Sequence, residues 1–124
     1  MRQMLCALSA CLLLAALNPA VADTESAVTK ANRGAYAIAL KCFVAYGINS
    51  GSYQKAGEKA KAVAMERQAR ASFDAVVKLG GRLGYSNARI DQDFGVAQGS
   101  ELPKMWSDGN YFAEVLGTCQ QVGL

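Results

Sequence analysis

At 124 residues, with a formal charge of +3 and no histidine, the chain is long enough for one hydrophobic core and too short for two. So small a charge makes no electrostatic case for nucleic acid or for an anionic membrane surface. Without histidine there are no Ser-His or Cys-His nucleophile pairs, and the imidazole ligands of most zinc and haem sites are missing too.

The first residues read as an export signal. Met1-Arg2 is a short positive start, Met4 to Leu17 is almost entirely apolar, and Asn18-Pro19 breaks the run before Ala20-Val21-Ala22. That apolar run is shorter than the roughly 20 residues a permanent anchor needs. Residues 1–22 are therefore expected to be a cleaved secretory signal, leaving 23–124 as a single domain that begins at Asp23. Leu8-Ser9-Ala10-Cys11 has the letters of a lipoprotein box, but it would strand Leu12 to Leu17 on the mature chain with nothing to bury them. Arg2 is the only charge lost with the signal, so the formal charge falls from +3 to +2. The expected location is periplasmic or secreted, with no stable membrane anchor.

Of four cysteines, Cys6 and Cys11 fall in the signal, and the mature part keeps Cys42 and Cys119. An even pair in an oxidising compartment is most simply a disulfide. Closing a loop of that length is worth about 4 kcal/mol in the chain-entropy account. A redox-active pair usually has the C-x-x-C spacing, which is absent.

From Asp23 onward the pattern is helical. Val28, Ala31, Ala35, Ile38, Cys42 and Ala45 recur at spacings of three and four. Asp23 or Thr24 is the expected cap, and Gly47 the expected close. Gly34, inside this helix, costs about 1 kcal/mol relative to Ala and suggests close approach of a neighbouring helix. A turn is expected over Ile48 to Gly51. A second helix then runs from Ser52 to Leu79 or Leu83, burying Ala62, Met65, Ala69, Phe73, Val76 and Leu79. Glu66, Arg70, Asp74 and Lys78 alternate in sign along its solvated side. Gly80-Gly81 and Gly84 punctuate the exit, and Ser86 caps a third helix carrying Ile90, Phe94 and Ala97. The pattern weakens over Gly99 to Pro103, where a break or kink is expected. Asp108 caps a last helix in which Phe112, Val115, Cys119 and Val122 share a face. The fold class is all-α, a small four-helix bundle-like domain with the disulfide joining first and last helices.

No catalytic, cofactor-binding or metal-binding residue stands out. Asp93-Phe94-Gly95 lacks the rest of a kinase, and Ser52-Tyr53-Gln54-Lys55 lacks the companion motifs of penicillin-binding enzymes. Asp91, Asp93 and Gly95 begin like a calcium loop, but Leu102 stands where Glu is required. What remains is a set of turn-proximal aromatics, Tyr46, Tyr53, Tyr85, Trp106 and Tyr111. Such residues seal bundle ends and also grip partners. The stretch from Gly99 to Asn110 reads as the least regular, with Trp106 before a Ser-Asp-Gly-Asn turn. Trp106, Asp108, Asn110, Tyr111 and Tyr85 are therefore the candidate partner-binding residues.

The layout, with one cysteine in Ala39-Leu40-Lys41-Cys42-Phe43 and another in Gly117-Thr118-Cys119-Gln120, resembles small periplasmic immunity proteins of type VI secretion systems, of the kind that neutralise amidase effectors. That resemblance is architectural and assigns no inhibitory residue. It implies a helical, disulfide-stapled protein that plugs a secreted or periplasmic enzyme without chemistry of its own. The readings beside it are a structural or envelope-maintenance protein, and a small-ligand carrier. Oligomeric state is open at this level.

Overall fold

A computed structural model describes residues 25–124, so the expected signal, its cleavage site and the Asp23 and Thr24 caps lie outside the described residues. Four helices follow in order: α1 Ala27–Lys55, α2 Lys59–Arg82, α3 Asn87–Ser107 and α4 Gly109–Gln121. There is no strand among the described residues. The all-α fold with first and last helices stapled is as expected. None of the helices is long and apolar enough to cross a membrane.

Ser26 serves as the cap of α1, its Oγ accepting from Thr29 N at 3.1 Å. At the other end α1 runs eight residues past Gly47, through Gly51, to Lys55. The expected turn at Ile48–Gly51 is therefore helix. Neither glycine has a positive φ, whereas Gly57 does (75°). Tyr46 and Ser50 are buried in this stretch, so packing outweighs the roughly 1 kcal/mol per glycine that helix propensity sets against it. At Gly57 the Glu58 N–H reaches back to Tyr53 O at 2.9 Å and the Gly57 N–H to Gln54 O at 3.1 Å. That is a glycine helix terminus with paired 6→1 and 5→2 bonds. Gly84 and Gly123, also at positive φ, close α2 and α4 with the same two bonds.

Two caps stand where the sequence puts them. Ser86 Oγ accepts from Arg89 N, and Asp108 Oδ1 accepts from both Asn110 N and Tyr111 N at 3.1 Å. Between them α3 is unbroken, with Pro103 inside it. This corrects the expected break. Ile90, Phe94, Ala97, Glu101 and Met105 form one buried stripe across the proline. The carbonyl that Pro103 leaves without a donor belongs to Gly99, which is exposed to solvent.

The helices of the compact unit Ala31–Leu124 pack in a readable order. Ser50 and Gln54 of α1 meet Glu66 of α2, while Tyr36 lies against the position of Gly80, so α2 runs antiparallel to α1. Phe73 stacks on Phe94 at 4.9 Å, and Ile90 abuts Gly80, so α3 reverses again. Helix α4 is fixed to α3 at its start, where Tyr111 donates to Glu101, and to α1 at its end. There Cys42 and Cys119 join, with Cα atoms 5.7 Å apart, and Tyr46 donates its hydroxyl to Leu124 O at 2.6 Å.

Within α1 the core begins at Tyr36; Val28, Ala31 and Ala35 are exposed, contrary to the periodicity reading. From there Ala39, Leu40, Cys42, Val44, Ala45 and Tyr46 are all buried. Burial on most of its circumference makes this part of α1 the centre of the bundle. Of the stripe expected for α2, Ala62 and Val76 are buried and Met65, Ala69 and Leu79 pack half-buried against the core; Phe73 is 42% exposed, and Ser72 and Gly80 join the innermost residues. Val122 lies beyond α4 and is exposed, and Leu124 packs on the core in its place.

Candidate functional site

The five candidate residues divide between two ends of α3, which at 21 residues is about 30 Å long. Tyr85 sits at the α2–α3 corner. Its ring meets Tyr36 edge-on at 5.3 Å and is covered by the Arg89 guanidinium at 4.1 Å. Arg89 Nε and the Tyr36 hydroxyl both donate to Asp93 Oδ2, at 3.0 and 2.7 Å. Burial, and then the bond to Asp93, push the Tyr36 hydroxyl well above its ordinary pKa. The bond to Asp93 likewise raises Arg89. This cluster ties α1 to α3, and Tyr85 belongs to it rather than to a site shared with Trp106.

Trp106, Asp108, Asn110 and Tyr111 meet at the α3–α4 corner. Asp108 caps α4 with its carboxylate, using the Asn110 and Tyr111 amides. Tyr111 is half-buried and donates to Glu101, a carboxylate only 9% exposed. That bond, and then burial, push the Tyr111 hydroxyl up to about 12. Lys104 lies 3.8 Å from the same carboxylate, and Lys41 and Lys104 both approach the Tyr111 ring. Tyr111, Asp108 and Glu101 thus build the corner. Trp106 is the aromatic that stays outward, 65% exposed, with Lys55 Nζ 5.9 Å from its ring centre.

Around Trp106 lies a surface that the sequence reading missed. On the side of α3 opposite its buried stripe, Gln92, Gly95, Val96, Gly99, Leu102, Pro103 and Trp106 follow at helical spacing, all exposed and none charged. Val96 is 61% and Leu102 44% exposed. This face is legible only if the helix is carried through Pro103; once a break is placed at Gly99 the two halves lose their common register. Trp106 is therefore helical, and the Gly99–Asn110 stretch is not a loop.

An open groove of about 620 Å³ runs between α1 and α2, with Phe43 and Phe73 as walls and Gly47 and Ala69 leaving it wide. Glu66, Arg70 and Asp74 line its rim. Glu66 accepts from Gln54 Nε2 at 2.8 Å. A cavity of about 130 Å³ lies beside the disulfide among Ile38, Lys41, Tyr111 and Glu114. No group of three metal-ligating side chains gathers among the described residues. Comparison of the chain with protein-family models, with curated proteins and with solved structures finds no match in any of the three.

Proposed function

We propose that this is an exported, non-catalytic protein-binding module that acts on a secreted or periplasmic enzyme through the outer face of α3, in the manner of an inhibitor or immunity protein. The observation that carries the reading is the uncharged stripe from Gln92 to Trp106. It brings the exposed apolar side chains Val96, Leu102 and Trp106 onto one helical face, and grouped exposed apolar residues favour protein contact. Tryptophan is enriched among residues whose truncation costs binding most. The glycines at 95 and 99 let another backbone approach closely, and Leu102, Pro103 and Trp106 supply the apolar bulk. The rigid helix presents these groups with little ordering cost on binding.

The lack of histidine supports the absence of chemistry, and the disulfide suits an oxidising compartment. The test is capture with oxidised 23–124 from periplasmic and secreted fractions, alongside Val96→Glu and Trp106→Glu. One enzyme held in near-equal amount by the parent chain, suppressed in activity and lost from both variants, is the expected result. Equal capture by parent and variants overturns this face as the site.

A further inference from the structure

The side of α2 that borders the open α1–α2 groove carries two neighbouring ridges of residues four apart. One is Glu66, Arg70, Asp74, Lys78, alternating in sign; the other is Ala69, Phe73, Val77, Gly81, with no charge. All four charged residues are exposed, and Phe73 and Val77 are 42% and 41% exposed. The charges have the spacing of internal helix pairs, yet Glu66 bonds to Gln54. Ion pairs such as Lys61–Glu58, Arg89–Asp93 and Lys104–Glu101 form elsewhere, whereas Arg70, Asp74 and Lys78 close none among the described residues. An alternating row of this kind is complementary to itself when reversed.

We propose that α2 is a self-association surface, and that its occupant is a second copy of this chain, related by a two-fold axis that passes between Arg70 and Asp74. Ridges four apart on two helices lie side by side when the helices cross at about −50°. In the antiparallel arrangement Glu66 then faces Lys78 of the second copy and Arg70 faces its Asp74. Each contact occurs twice, as two-fold symmetry requires. The uncharged ridges flank the charged ones and give the contact its apolar area, with Ala69 and Gly81 admitting the facing side chains. This face is on a different helix from the α3 stripe, so the inference stands independently of the proposed function.

Sedimentation equilibrium of oxidised 23–124 over a wide concentration range, at low and high salt, tests it. The parent chain should reach twice its monomer mass and dissociate more readily in salt. Arg70→Asp and Asp74→Arg singly should each raise the dissociation constant at least tenfold. The double reversal should return it to within about threefold of the parent, because the pairs re-form with signs exchanged. Val77→Asp should be monomeric, with helicity and melting midpoint unchanged. A parent chain that stays monomeric throughout overturns the proposal. So does a dimer indifferent to the single reversals, or a double reversal no better than either single.

Discussion

Two glycines that both sit inside helices should respond oppositely to alanine. Gly34 has nothing within 4 Å of where a Cβ would stand, so Gly34→Ala should gain helix propensity of about 1 kcal/mol. At Gly80 the same atom would lie 2.7 Å from Ile90 Cδ1, 2.9 Å from Ile90 Cγ1 and 3.2 Å from Tyr36 Cε2. Ile90 Cδ1 can swing aside, but Cγ1 moves only with a χ1 that β-branching holds stiff. The Tyr36 ring is held by its bond to Asp93 and its edge contact with Tyr85. Overpacking of this kind costs roughly 1–3 kcal/mol. Set against the same propensity gain, Gly80→Ala should lose about 1 kcal/mol. The two variants should therefore differ by about 2 kcal/mol, or roughly 10 °C in melting midpoint for a domain of this size. Urea denaturation followed by circular dichroism gives both values. Adding Ile90→Val, which removes Cδ1, should recover part of the Gly80→Ala loss. If Gly80→Ala stabilises as much as Gly34→Ala, the close packing of α2, α3 and Tyr36 described above is wrong.

Other expectations follow from the same contacts. Reduction, or joint replacement of Cys42 and Cys119 by Ser, should cost about 2–5 kcal/mol in thermal or urea unfolding; the native oxidised protein should show no thiol from either residue. Tyr111→Phe leaves the buried Glu101 carboxylate short of a donor and should cost about 1–3 kcal/mol in urea unfolding. Because the folded Tyr111 pKa is raised from 10.0 to about 12, its stabilisation is whole below pH 10 and is lost as pH rises through 12. There the unfolded chain binds fewer protons than the folded one; a urea midpoint measured across that window should fall in the parent and fall less in Tyr111→Phe. Trp106→Ala should change stability by less than about 0.5 kcal/mol, since the ring is exposed and contributes little to the core.

The parts of the fold that could be read in the sequence were those set by local chemistry. Ser86 and Asp108 cap because a short polar side chain ahead of an apolar period has one low-energy use. The stripe Ile90, Phe94, Ala97 shows in the sequence because every third or fourth residue is apolar. Cys42 and Cys119 share the core because each continues such a stripe. Glycine and proline misled for the opposite reason, their effects being small enough for packing to override. Gly47 looks like a terminus and is helical, whereas Gly57 provides the terminus, and only its backbone angle separates the two. Gly34 invites a close-packing explanation that belongs to Gly80, since no local pattern tells which glycine another helix will touch. Pro103 suggests a break, but the buried spacing from Phe94 to Met105 carries the helix through it. That error also hid the α3 face, which depends on one continuous register. The fate of Tyr85, whose ring packs on Tyr36 and Arg89, and of Tyr111, bonded to Glu101, is a matter of tertiary contact that the aromatic positions alone do not disclose.

The central claim is that the outer face of α3 grips a protein partner, and the most direct measurement is hydrogen exchange on the captured complex. Oxidised 23–124 is compared free and bound to the enzyme it retains from the periplasmic or secreted fractions. The account predicts added protection over residues 92–107, with Trp106→Glu abolishing both capture and protection while leaving the melting midpoint of the free protein in place. Protection elsewhere with residues 92–107 unchanged, or full capture by Trp106→Glu, would contradict it.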